Sequence, residues 1–302
     1  MLNNKVLVLG GCGYIGSSLF NFLQNKGLEI DTVDLEWYGN YTNPKNINVD
    51  FKNLTPMFLR KYGSIVLLAG HSSVPMCVNN MRSSFKNNVE NFVDLLTKLD
   101  AKQRFIYASS SSVYGVVDSP VEETHNYFDA ISFYDITKQH IDQYASLSGK
   151  NFYGLRFGTV NGASSNLRVD IMMNAMVNSI KNGGHINLVN GKTKRPILYL
   201  NDLNRAIHSI IASEEDHPGI YNLASFNSTA GEIAHKVAEV LKSEVKTGPD
   251  REIVYDFMIN SSKFCSTYDF KFEGDMEKII YNLYSTYDDV EKTNRNEAIK
   301  YE

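Results

Sequence analysis

The sequence predicts an α/β fold in which a doubly wound parallel sheet is accompanied by a smaller C-terminal lobe. Two observations indicate this fold. Short apolar runs alternate with helical patterns through the first half of the chain, and a glycine-rich turn follows the first apolar run. Because a parallel sheet is covered by helices on both faces, its strands are apolar throughout. We expect ligands to bind beyond the carboxyl ends of the strands, where the strand order reverses.

The first apolar run, residues 6–9, leads into a turn with glycine at positions 10, 13 and 16, and residues 14–24 then follow a helical pattern. This arrangement suits a dinucleotide pyrophosphate, because the backbone approaches the phosphates and the helix N-terminus offers free N–H groups. An ordinary strand–helix turn is the alternative. We predict five cofactor-binding residues here: Gly10, Gly13, Tyr14, Ile15 and Gly16.

The rest of the first half continues the alternation of strands and helices. We expect strands at residues 29–35, 47–51, 64–70, 104–109 and 151–157. The apolar spacing predicts long helices at residues 85–99 and 134–147. Strands joined in this way by helices form a parallel sheet.

After residue 158 the regular alternation ends. We expect helices at residues 169–180, 202–212 and 229–241, short strands at residues 186–189 and 220–224, a basic turn at residues 191–196, and a solvated helix or frayed tail at residues 288–302. Thr229 and Glu232 have the spacing of a helix capping box. We divide the chain into a cofactor-binding unit, residues 1–158 and 197–225, and a substrate-binding lobe, residues 159–196 and 226–302.

The composition argues against several classes of protein. The chain of 302 residues is 43% hydrophobic and has a net charge of −4 without a basic stripe, so we do not expect nucleic acid as a partner. No apolar run reaches the ~18 residues that span a bilayer, and we expect neither a membrane segment nor a signal peptide. Cys12, Cys77 and Cys265 are far apart, which fits a reducing cytoplasm without disulfides or a metal site.

Asp34 ends the second predicted strand, 18 residues after Gly16. A carboxylate at this position accepts hydrogen bonds from an adenosine ribose and repels a 2′-phosphate. Since no arginine follows it immediately, the sequence predicts NAD rather than NADP as the cofactor. A turn aspartate at the end of a strand is the alternative interpretation.

Tyr134 and Lys138 stand at positions i and i+4 of a predicted helix, so they share one face. A free phenol has a pKa near ~10, and a nearby ammonium together with a positively charged nicotinamide would lower it. Such a tyrosine can take a proton from a sugar hydroxyl while a hydride leaves for the cofactor. Taken alone, this spacing is commonly a surface pair. The four serines at residues 109–112, which end the strand before this helix, supply further hydroxyls or simply form a polar turn.

Together these motifs resemble the extended short-chain dehydrogenases/reductases, in the branch of NAD-dependent sugar epimerases and dehydratases. The resemblance covers residues 5–285 and rests on residues 10–16, 67–71, 107–115, 134–138, 195–196 and 201–202. It implies a Rossmann-type cofactor-binding unit, NAD as cofactor and a nucleotide-diphosphate sugar as substrate.

The resemblance also implies roles for individual residues. Tyr134 is the expected base, Lys138 its partner and a ligand of the nicotinamide ribose, and Ser110 the catalytic serine, assisted by Ser111 or Ser112. Asn88 is expected to brace the active-site strand. Further cofactor contacts are implied for Asp50, Phe51, Leu68, Ala69 and Gly70. Substrate contacts are implied for Ser111, Ser112, Thr159, Arg168, Asn174 and Arg195, with the Arg195 guanidinium on the diphosphate.

Departures from the family pattern reduce the number of reactions that we expect. Ser111 and Ser112 stand where the 4,6-dehydratases have Asp-Glu, and nucleotide-sugar decarboxylases have Glu at the position of Ser112. Thr159 stands where several epimerases have Asn. We therefore expect NAD-dependent epimerisation, at C4 of the sugar. A one-way 4-dehydrogenase or 4-reductase is an alternative, and a non-catalytic dinucleotide-binding protein is a more distant one.

The predicted helices at residues 85–99 and 134–147 carry apolar residues on more than one face. These residues are Phe92, Leu95, Ile136, Ile141 and Tyr144. In the resembled family the corresponding helices pair across a two-fold axis. The resemblance therefore implies a C2 homodimer formed through these helices.

Overall fold

The protein's structure is a computed structural model that describes residues 5–125, 130–252 and 255–295. The strands of this part are β1 (Val6–Leu9), β2 (Ile30–Val33), β3 (Ser64–Leu67), β4 (Arg104–Ser110), β5 (Phe152–Phe157), β6 (Thr159–Asn161), β7 (Asn166–Arg168), β8 (Ile186–Leu188), β9 (Lys194–Tyr199), β10 (Gly219–Leu223), β11 (Phe226–Thr229), β12 (Val245–Thr247) and β13 (Glu291–Thr293).

The helices of the described residues are α1 (Tyr14–Asn25), α2 (Pro56–Leu59), α3 (Val74–Asn79), α4 (Met81–Phe85), α5 (Asn91–Lys98), α6 (Phe133–Leu147), α7 (Met172–Lys181), α8 (Leu200–Ala212), α9 (Ala230–Leu241), α10 (Ser262–Tyr268) and α11 (Met276–Thr286). Short 3-10 turns lie at Phe51–Asn53, Ser111–Tyr114 and Tyr287–Asp289. The predicted capping box is confirmed, because Thr229 and Glu232 each accept a hydrogen bond from the other's backbone N–H at the start of α9.

The predicted doubly wound parallel sheet is confirmed. Its six strands lie in the order β2-β1-β3-β4-β5-β10, and every neighbouring pair is parallel. The chain leaves β1 for β2 on one side and then crosses to β3 on the other, so the strand order reverses beside β1. The carboxyl end of β1 is therefore the place where a ligand is expected to bind.

Strand β1 is buried on both faces, as its uninterrupted apolar sequence predicted. Val6 and Val8 contribute to a core with the second half of the chain, whereas Leu7 and Leu9 contribute to a second core that includes Phe92. None of the four β1 side chains is exposed to solvent. Because alternate residues of a strand point to opposite faces, one short strand anchors both layers.

The second half of the chain builds smaller sheets beside the carboxyl ends of the main sheet. Strands β11, β9 and β6 form a three-stranded sheet, while β12 pairs with β8 and β13 pairs with β7. The main sheet also takes its last strand, β10, from this half. The division of the chain at residues 158, 196 and 225 stays a prediction.

The basic turn expected at residues 191–196 is wrong in its second part. Residues 194–196 begin strand β9, because Lys194, Arg195 and Pro196 pair with β11 in antiparallel register. The turn itself lies one step earlier, where the N–H of Thr193 donates to the carbonyl of Asn190 at 3.0 Å.

The strand expected at residues 47–51 is also wrong. Only Ile47 pairs with the sheet edge, through a single bridge to Val33. The N–H of Val49 then donates to the carbonyl of Ile47, which turns the chain away from the sheet. Asp50 next caps the 3-10 turn at Phe51–Asn53 by accepting from the N–H of Lys52, so no strand continues.

The tail expected at residues 288–302 is ordered in its described part. Residues 291–293 form β13. The Thr293 hydroxyl donates to Asn166 Oδ1 at 3.1 Å, and the Thr293 carbonyl accepts from the N–H of Val169 at 2.9 Å. Residues 296–302 lie outside the described residues. The charges of this segment suggested full solvation, yet backbone pairing with β7 requires no apolar side chains.

The helix expected at residues 85–99 contains a π-helical segment, Lys86–Glu90, between α4 and α5. Asn88 lies in this segment, and its side chain is buried. It accepts from the N–H of His71 at 2.9 Å and donates to Thr137 Oγ1 at 3.3 Å. Asn88 thus bridges the loop after β3 and helix α6, whereas its predicted bracing of the active-site strand stays a prediction.

A buried ion pair attaches helix α6 to the main sheet. Asp142 on α6 accepts from Arg156 Nε on β5 at 2.9 Å, and both side chains are almost fully buried. The same carboxylate accepts from the hydroxyls of Tyr107 at 3.1 Å and Ser109 at 3.0 Å on β4. One carboxylate therefore fixes the position of α6 against two neighbouring strands.

We predict that Asp142→Ala destabilises the fold by about 3–5 kcal/mol, because it leaves the Arg156 guanidinium buried without its main counterion. Urea unfolding of the full chain measures the change. Asp94→Ala is the control, since its ion pair with Lys98 is half exposed and should contribute less than about 1 kcal/mol. Equal losses in the two variants would contradict the prediction.

Candidate active site

The glycine loop after β1 adopts a shape that side chains would block. Gly10 has a φ of +89°, and a Cβ there would lie 2.5 Å from the backbone nitrogen of Ala69. A Cβ on Gly16 would lie 2.0 Å from the carbonyl oxygen of Gly10. These contacts bring β1, the start of α1 and the loop after β3 together at the point of strand-order reversal.

A cleft begins at this loop and has two connected parts, which we call the dinucleotide part and the sugar part. Most of the predicted cofactor-binding residues line the dinucleotide part, namely Gly10, Gly13, Asp34, Asp50, Phe51, Leu68, Ala69 and Gly70. Residues 68–70 also line the sugar part, so the two parts are continuous. Tyr14 and Ile15 line the sugar part instead.

The N-terminus of α1 fits a pyrophosphate. Gly13 is its N-cap, and among the described residues no side chain caps this end. The first turn of α1 also carries no acidic residue that would compete with a phosphate. The free N–H groups and the positive end of the helix dipole are therefore available to an anion.

The Tyr14 side chain does not take part in this anion site. It is buried, donating its hydroxyl to the carbonyl of Gly162 at 2.8 Å and accepting from Asn174 Nδ2 at 3.1 Å. Its contribution to the pyrophosphate site is the backbone N–H at the start of α1. The side chain instead joins α1 to the second half of the chain.

Asp34 lies at the end of β2 with its carboxylate held by the backbone. Oδ2 accepts from the N–H of Cys12 at 2.9 Å, and Oδ1 accepts from the N–H of Glu36 at 2.7 Å. Burial raises the pKa of Asp34, while these two hydrogen bonds oppose the rise. The carboxylate is thus fixed beside the glycine loop, where it can accept further hydrogen bonds from ribose hydroxyls.

Tyr134 and Lys138 lie on the face of α6 that lines the sugar part of the cleft. The Lys138 ammonium is 5.5 Å from the centre of the Tyr134 ring and donates to the carbonyl of Ala108 at 2.6 Å. Burial raises the pKa of Tyr134, and a hydrogen bond with Ser110 opposes that rise. The expected lowering of this pKa by Lys138 is not seen. Burial dominates because a phenolate loses hydration there, and the positive charge that opposes the rise is that of Arg168.

Ser110 belongs to a chain of polar groups beside Tyr134. Its hydroxyl lies 2.7 Å from that of Ser112, which donates to Asp135 Oδ1 at 2.6 Å. The other oxygen of Asp135 accepts from the hydroxyl of Tyr255 at 2.8 Å. This network holds the serine hydroxyls next to the tyrosine.

The structure gives Ser111 a different position from its neighbours. Its hydroxyl donates to the carbonyl of Phe157 at 2.5 Å, and the side chain is buried. Ser111 begins the 3-10 turn after β4 and lines the sugar part of the cleft together with Ser110 and Ser112. Its predicted catalytic and substrate-binding roles stay predictions, although its hydroxyl is already used in the bond to Phe157.

The predicted substrate residues separate into two groups. Thr159, Arg168 and Arg195 line the sugar part of the cleft. The prediction for Asn174 is wrong, since it is buried and bonded on both amide atoms, accepting from the N–H of Gly162 at 3.1 Å and donating to the carbonyl of Arg168 at 2.8 Å. Its position on α7 faces the protein interior rather than the cleft.

Arg168 and Arg195 differ in how free their charges are. Arg168 forms a bidentate pair with Asp170 at 2.8–3.1 Å, so most of its donors are used within the protein. Arg195 donates to the backbone carbonyls of Lys194 and Tyr255. Burial lowers the pKa of Arg195, while the nearby Asp256 opposes the fall. The described hydrogen bonds of its guanidinium thus go to carbonyl groups and not to a carboxylate. Arg195 is therefore the better candidate for an anionic substrate group.

Three further residues of the site were missed in the sequence. Asp135 was recognisable, because Ser132 and Asp135 have capping-box spacing and form that box at the start of α6. Tyr255 and Arg295, which line the sugar and dinucleotide parts respectively, come from segments without a regular pattern. No local signal in the sequence marked either one.

Comparison with known proteins agrees with this geometry. A model of the NAD dependent epimerase/dehydratase family matches residues 6–224. The chain belongs to that family. NAD is the family's cofactor, and the glycine loop, the uncapped end of α1 and Asp34 fit it. In the described part of the chain, no helix has the length and apolar character needed to cross a membrane.

Two curated relatives and one solved structure illustrate the similarity. An ADP-L-glycero-D-manno-heptose-6-epimerase of Brachyspira hyodysenteriae is 26% identical over 79% of this chain and 81% of its own length. A UDP-glucuronate 4-epimerase of Arabidopsis thaliana is 24% identical over 83% and 67%. The structure of MoeE5 in complex with UDP-glucuronic acid and NAD superposes with a TM-score of 0.83 at 21% identity, covering 94% of this chain and 99% of that one.

We predict that the parent protein binds NADH at least tenfold more tightly than NADPH, because the Asp34 carboxylate repels a 2′-phosphate. Asp34→Ala should lose much of this preference. Fluorescence titration with both dinucleotides measures the preference. The control is Asp31→Ala, since Asp31 lies on the edge strand β2 and pairs with Lys5. Equal affinity of the parent protein for the two dinucleotides would refute the assignment.

Proposed function

We propose that this protein epimerises a nucleotide-diphosphate sugar at C4, with Tyr134 as the acid–base group. The observation that carries the proposal is the continuity of the cleft. The dinucleotide part, with its free helix N-terminus, opens directly into the sugar part, which Tyr134, Lys138 and Ser110 line. A sugar carbon can therefore lie beside both the tyrosine and the nicotinamide end of the cofactor.

Tyr134 takes the proton of the 4-hydroxyl during oxidation of the sugar and returns it to the same oxygen during reduction. Bound NAD supplies the hydride acceptor and donor, so it is regenerated in each turnover. Ser110 holds the sugar oxygen near the phenol through its own hydroxyl. The proton count balances, because Tyr134 ends each cycle in the state in which it began.

Lys138 is the nearby cation that we assign to the support of Tyr134, with its ammonium 5.5 Å from the centre of the Tyr134 ring. Because burial raises the pKa of Tyr134, formation of the phenolate that accepts the proton requires nearby positive charge. Burial also lowers the pKa of Lys138 to about 8. The ammonium is therefore charged below that pH and loses its charge as the pH rises through it. We infer that Lys138 supports the phenolate most strongly on the acidic side of pH 8.

Arg195 and Thr159 are the residues that we assign to the substrate. The Arg195 guanidinium lines the sugar part of the cleft and its described hydrogen bonds go to backbone carbonyls, so its charge suits the diphosphate of a nucleotide sugar. Thr159 begins β6 and lines the same part. Its hydroxyl can accept or donate a hydrogen bond to the sugar.

The assignment of C4 rests on the relatives rather than on the geometry alone. One of the two relatives is named as a UDP-glucuronate 4-epimerase, and the other as a heptose-6-epimerase. A one-way 4-dehydrogenase or 4-reductase would use the same residues. It differs in releasing reduced or oxidised cofactor each turnover, so a stoichiometric change in free NADH would favour it over an epimerase.

We predict that Tyr134→Phe lowers turnover by roughly 10²–10⁴-fold, the contribution of a positioned acid–base group. The ring and its packing are retained, so folding and NADH affinity should stay unchanged. Lys138→Ala should lower both turnover and NADH affinity. Turnover is measured with a panel of nucleotide sugars, and the products are identified by NMR.

Tyr144→Phe is the matched control for this experiment. It makes the same change on the same helix, but Tyr144 is exposed and is not among the residues that line the cleft. Parent-like turnover of Tyr134→Phe on its substrate would refute the mechanism.

We also propose that the protein is a C2 homodimer through α6 and α4. Of the residues expected in the interface, Phe92, Leu95 and Ile141 are instead buried within the subunit. The exposed apolar residues of this surface are Met81, Phe85, Phe133, Tyr144 and Leu147. These residues form one surface across the two helices, because Phe85 of α4 contacts His140 of α6 edge-on, with ring centres 5.9 Å apart.

We predict that the double variant Tyr144→Asp/Leu147→Glu is monomeric, because two carboxylates would have to lose their hydration in the interface. Light scattering at micromolar concentration measures the mass. Tyr281→Asp is the control, since Tyr281 is equally exposed but lies on α11. A parent protein that is already monomeric would disprove the dimer.

A further inference from the structure

Arg295 brings a positive charge into the dinucleotide part of the cleft, where the carboxylates of Asp34 and Asp170 lie near it. It follows β13 near the C-terminus and lines this part together with Gly13 and Asp34. Among the described residues, its Nε and Nη2 atoms are buried and have no hydrogen-bond partner. A buried guanidinium with unused donors is costly, so the arrangement favours an anion beside it.

The position of the guanidinium indicates which anion. Its Nη2 atom lies 3.6 Å from the place that a Cβ on Gly13 would occupy. Gly13 is the N-cap of α1, the helix end with free N–H groups. Arg295 Nη2 therefore lies beside the helix end that offers the other donors of the pyrophosphate site. Two sets of N–H donors converge on one small space.

The Arg295 side chain is held in place by aromatic contact. Its guanidinium carbon is 4.0 Å from the centre of the Tyr38 ring. Such stacking orients the flat guanidinium but leaves its edge donors free. Burial lowers the pKa of Arg295 to about 10, with the nearby charge of Arg168 as the next cause. The group is still cationic at neutral pH.

The backbone that carries Arg295 is joined to the glycine loop through one buried amide. Asn166, on β7, donates to the carbonyls of Cys12 at 3.0 Å and Tyr38 at 3.1 Å. Its Oδ1 accepts from the hydroxyl of Thr293 on β13 at 3.1 Å. The C-terminal strand and the glycine loop thus share a rigid connection.

We propose that Arg295 binds the pyrophosphate of the dinucleotide, so that β13 acts as a C-terminal strap that retains the cofactor. The guanidinium offers two parallel N–H donors to the phosphate oxygens, opposite the N-terminus of α1. A 2′-phosphate is the less suitable anion, because the Asp34 carboxylate lies at the ribose end of the cleft and would repel it. The proposal concerns cofactor binding and does not depend on the sugar chemistry.

The test measures NADH affinity of the full chain, stripped of bound nucleotide, by fluorescence titration. Arg295→Gln should lower the affinity for NADH by roughly 10- to 100-fold, the contribution of charge-assisted hydrogen bonds, mainly through faster dissociation. The NADH affinity of Arg295→Lys should fall between those of this variant and the parent, because lysine keeps the charge but loses the paired N–H donors of the guanidinium. Lys292→Ala is the control, since this lysine lies on the same strand over the Tyr287 ring, 4.7 Å from its centre.

Several outcomes would overturn the proposal. Unchanged NADH affinity in Arg295→Gln would show that no cofactor contact exists. Tighter NADH binding would show that the side chain blocks the cleft. A loss confined to NADPH would assign Arg295 to a 2′-phosphate instead.

A second measurement uses the parent protein alone and does not require that a variant fold. Saturating NADH should protect the backbone amides of β13 from hydrogen–deuterium exchange, together with those of the glycine loop. Adenosine, which lacks phosphate, should protect neither segment to the same degree. Protection of the glycine loop without protection of β13 would contradict the strap.

Discussion

The buried contact between Asp142 and Arg156 is the constraint on which the active site depends. Helix α6 carries both Tyr134 and Lys138, and this carboxylate fixes α6 against β4 and β5 at distances of 2.9–3.1 Å. A buried ion pair contributes little to net stability, but it strongly disfavours any other packing of the helix. The tyrosine therefore takes its position relative to the cleft from charges that lie outside it.

Buried asparagines fix the positions of the surrounding loops by hydrogen bonds. Asn88 connects the loop after β3 to α6, while Asn166 connects the glycine loop to the C-terminal strand. An amide can donate and accept at once, so each one satisfies backbone groups from segments far apart in the chain. The cleft consequently has walls from both halves of the chain, held by hydrogen bonds rather than by apolar packing alone.

The cleft buries several groups that carry or can carry a charge, and burial disfavours the charged form of each. Burial raises the pKa of Tyr134 and lowers that of Lys138 to about 8, and within the described residues it leaves Nε and Nη2 of Arg295 without a hydrogen-bond partner. Each group is costly in isolation, and an anionic or cationic neighbour reduces that cost. NAD carries both charges, with negative phosphates in its middle and a positive nicotinamide at one end. The arrangement of unsatisfied groups is thus complementary to the cofactor.

The sequence by itself determined the sheet, the glycine loop, Asp34 and the pair Tyr134 and Lys138. These features depend on local pattern, because apolar runs, glycine spacing and helical periodicity involve residues close together in the chain. It also allowed the NAD-binding family to be recognised before any coordinates were considered.

Only the tertiary structure decided the remaining parts of the site. The bond of the Ser111 hydroxyl to the carbonyl of Phe157 depends on how β4 lies against β5, and the interior position of Asn174 depends on how α7 packs. Tyr255 and Arg295 reach the cleft from segments whose residues show no periodic pattern. Contacts between positions hundreds of residues apart, such as Arg295 with Gly13, are set by packing and backbone pairing, which leave no trace in local sequence.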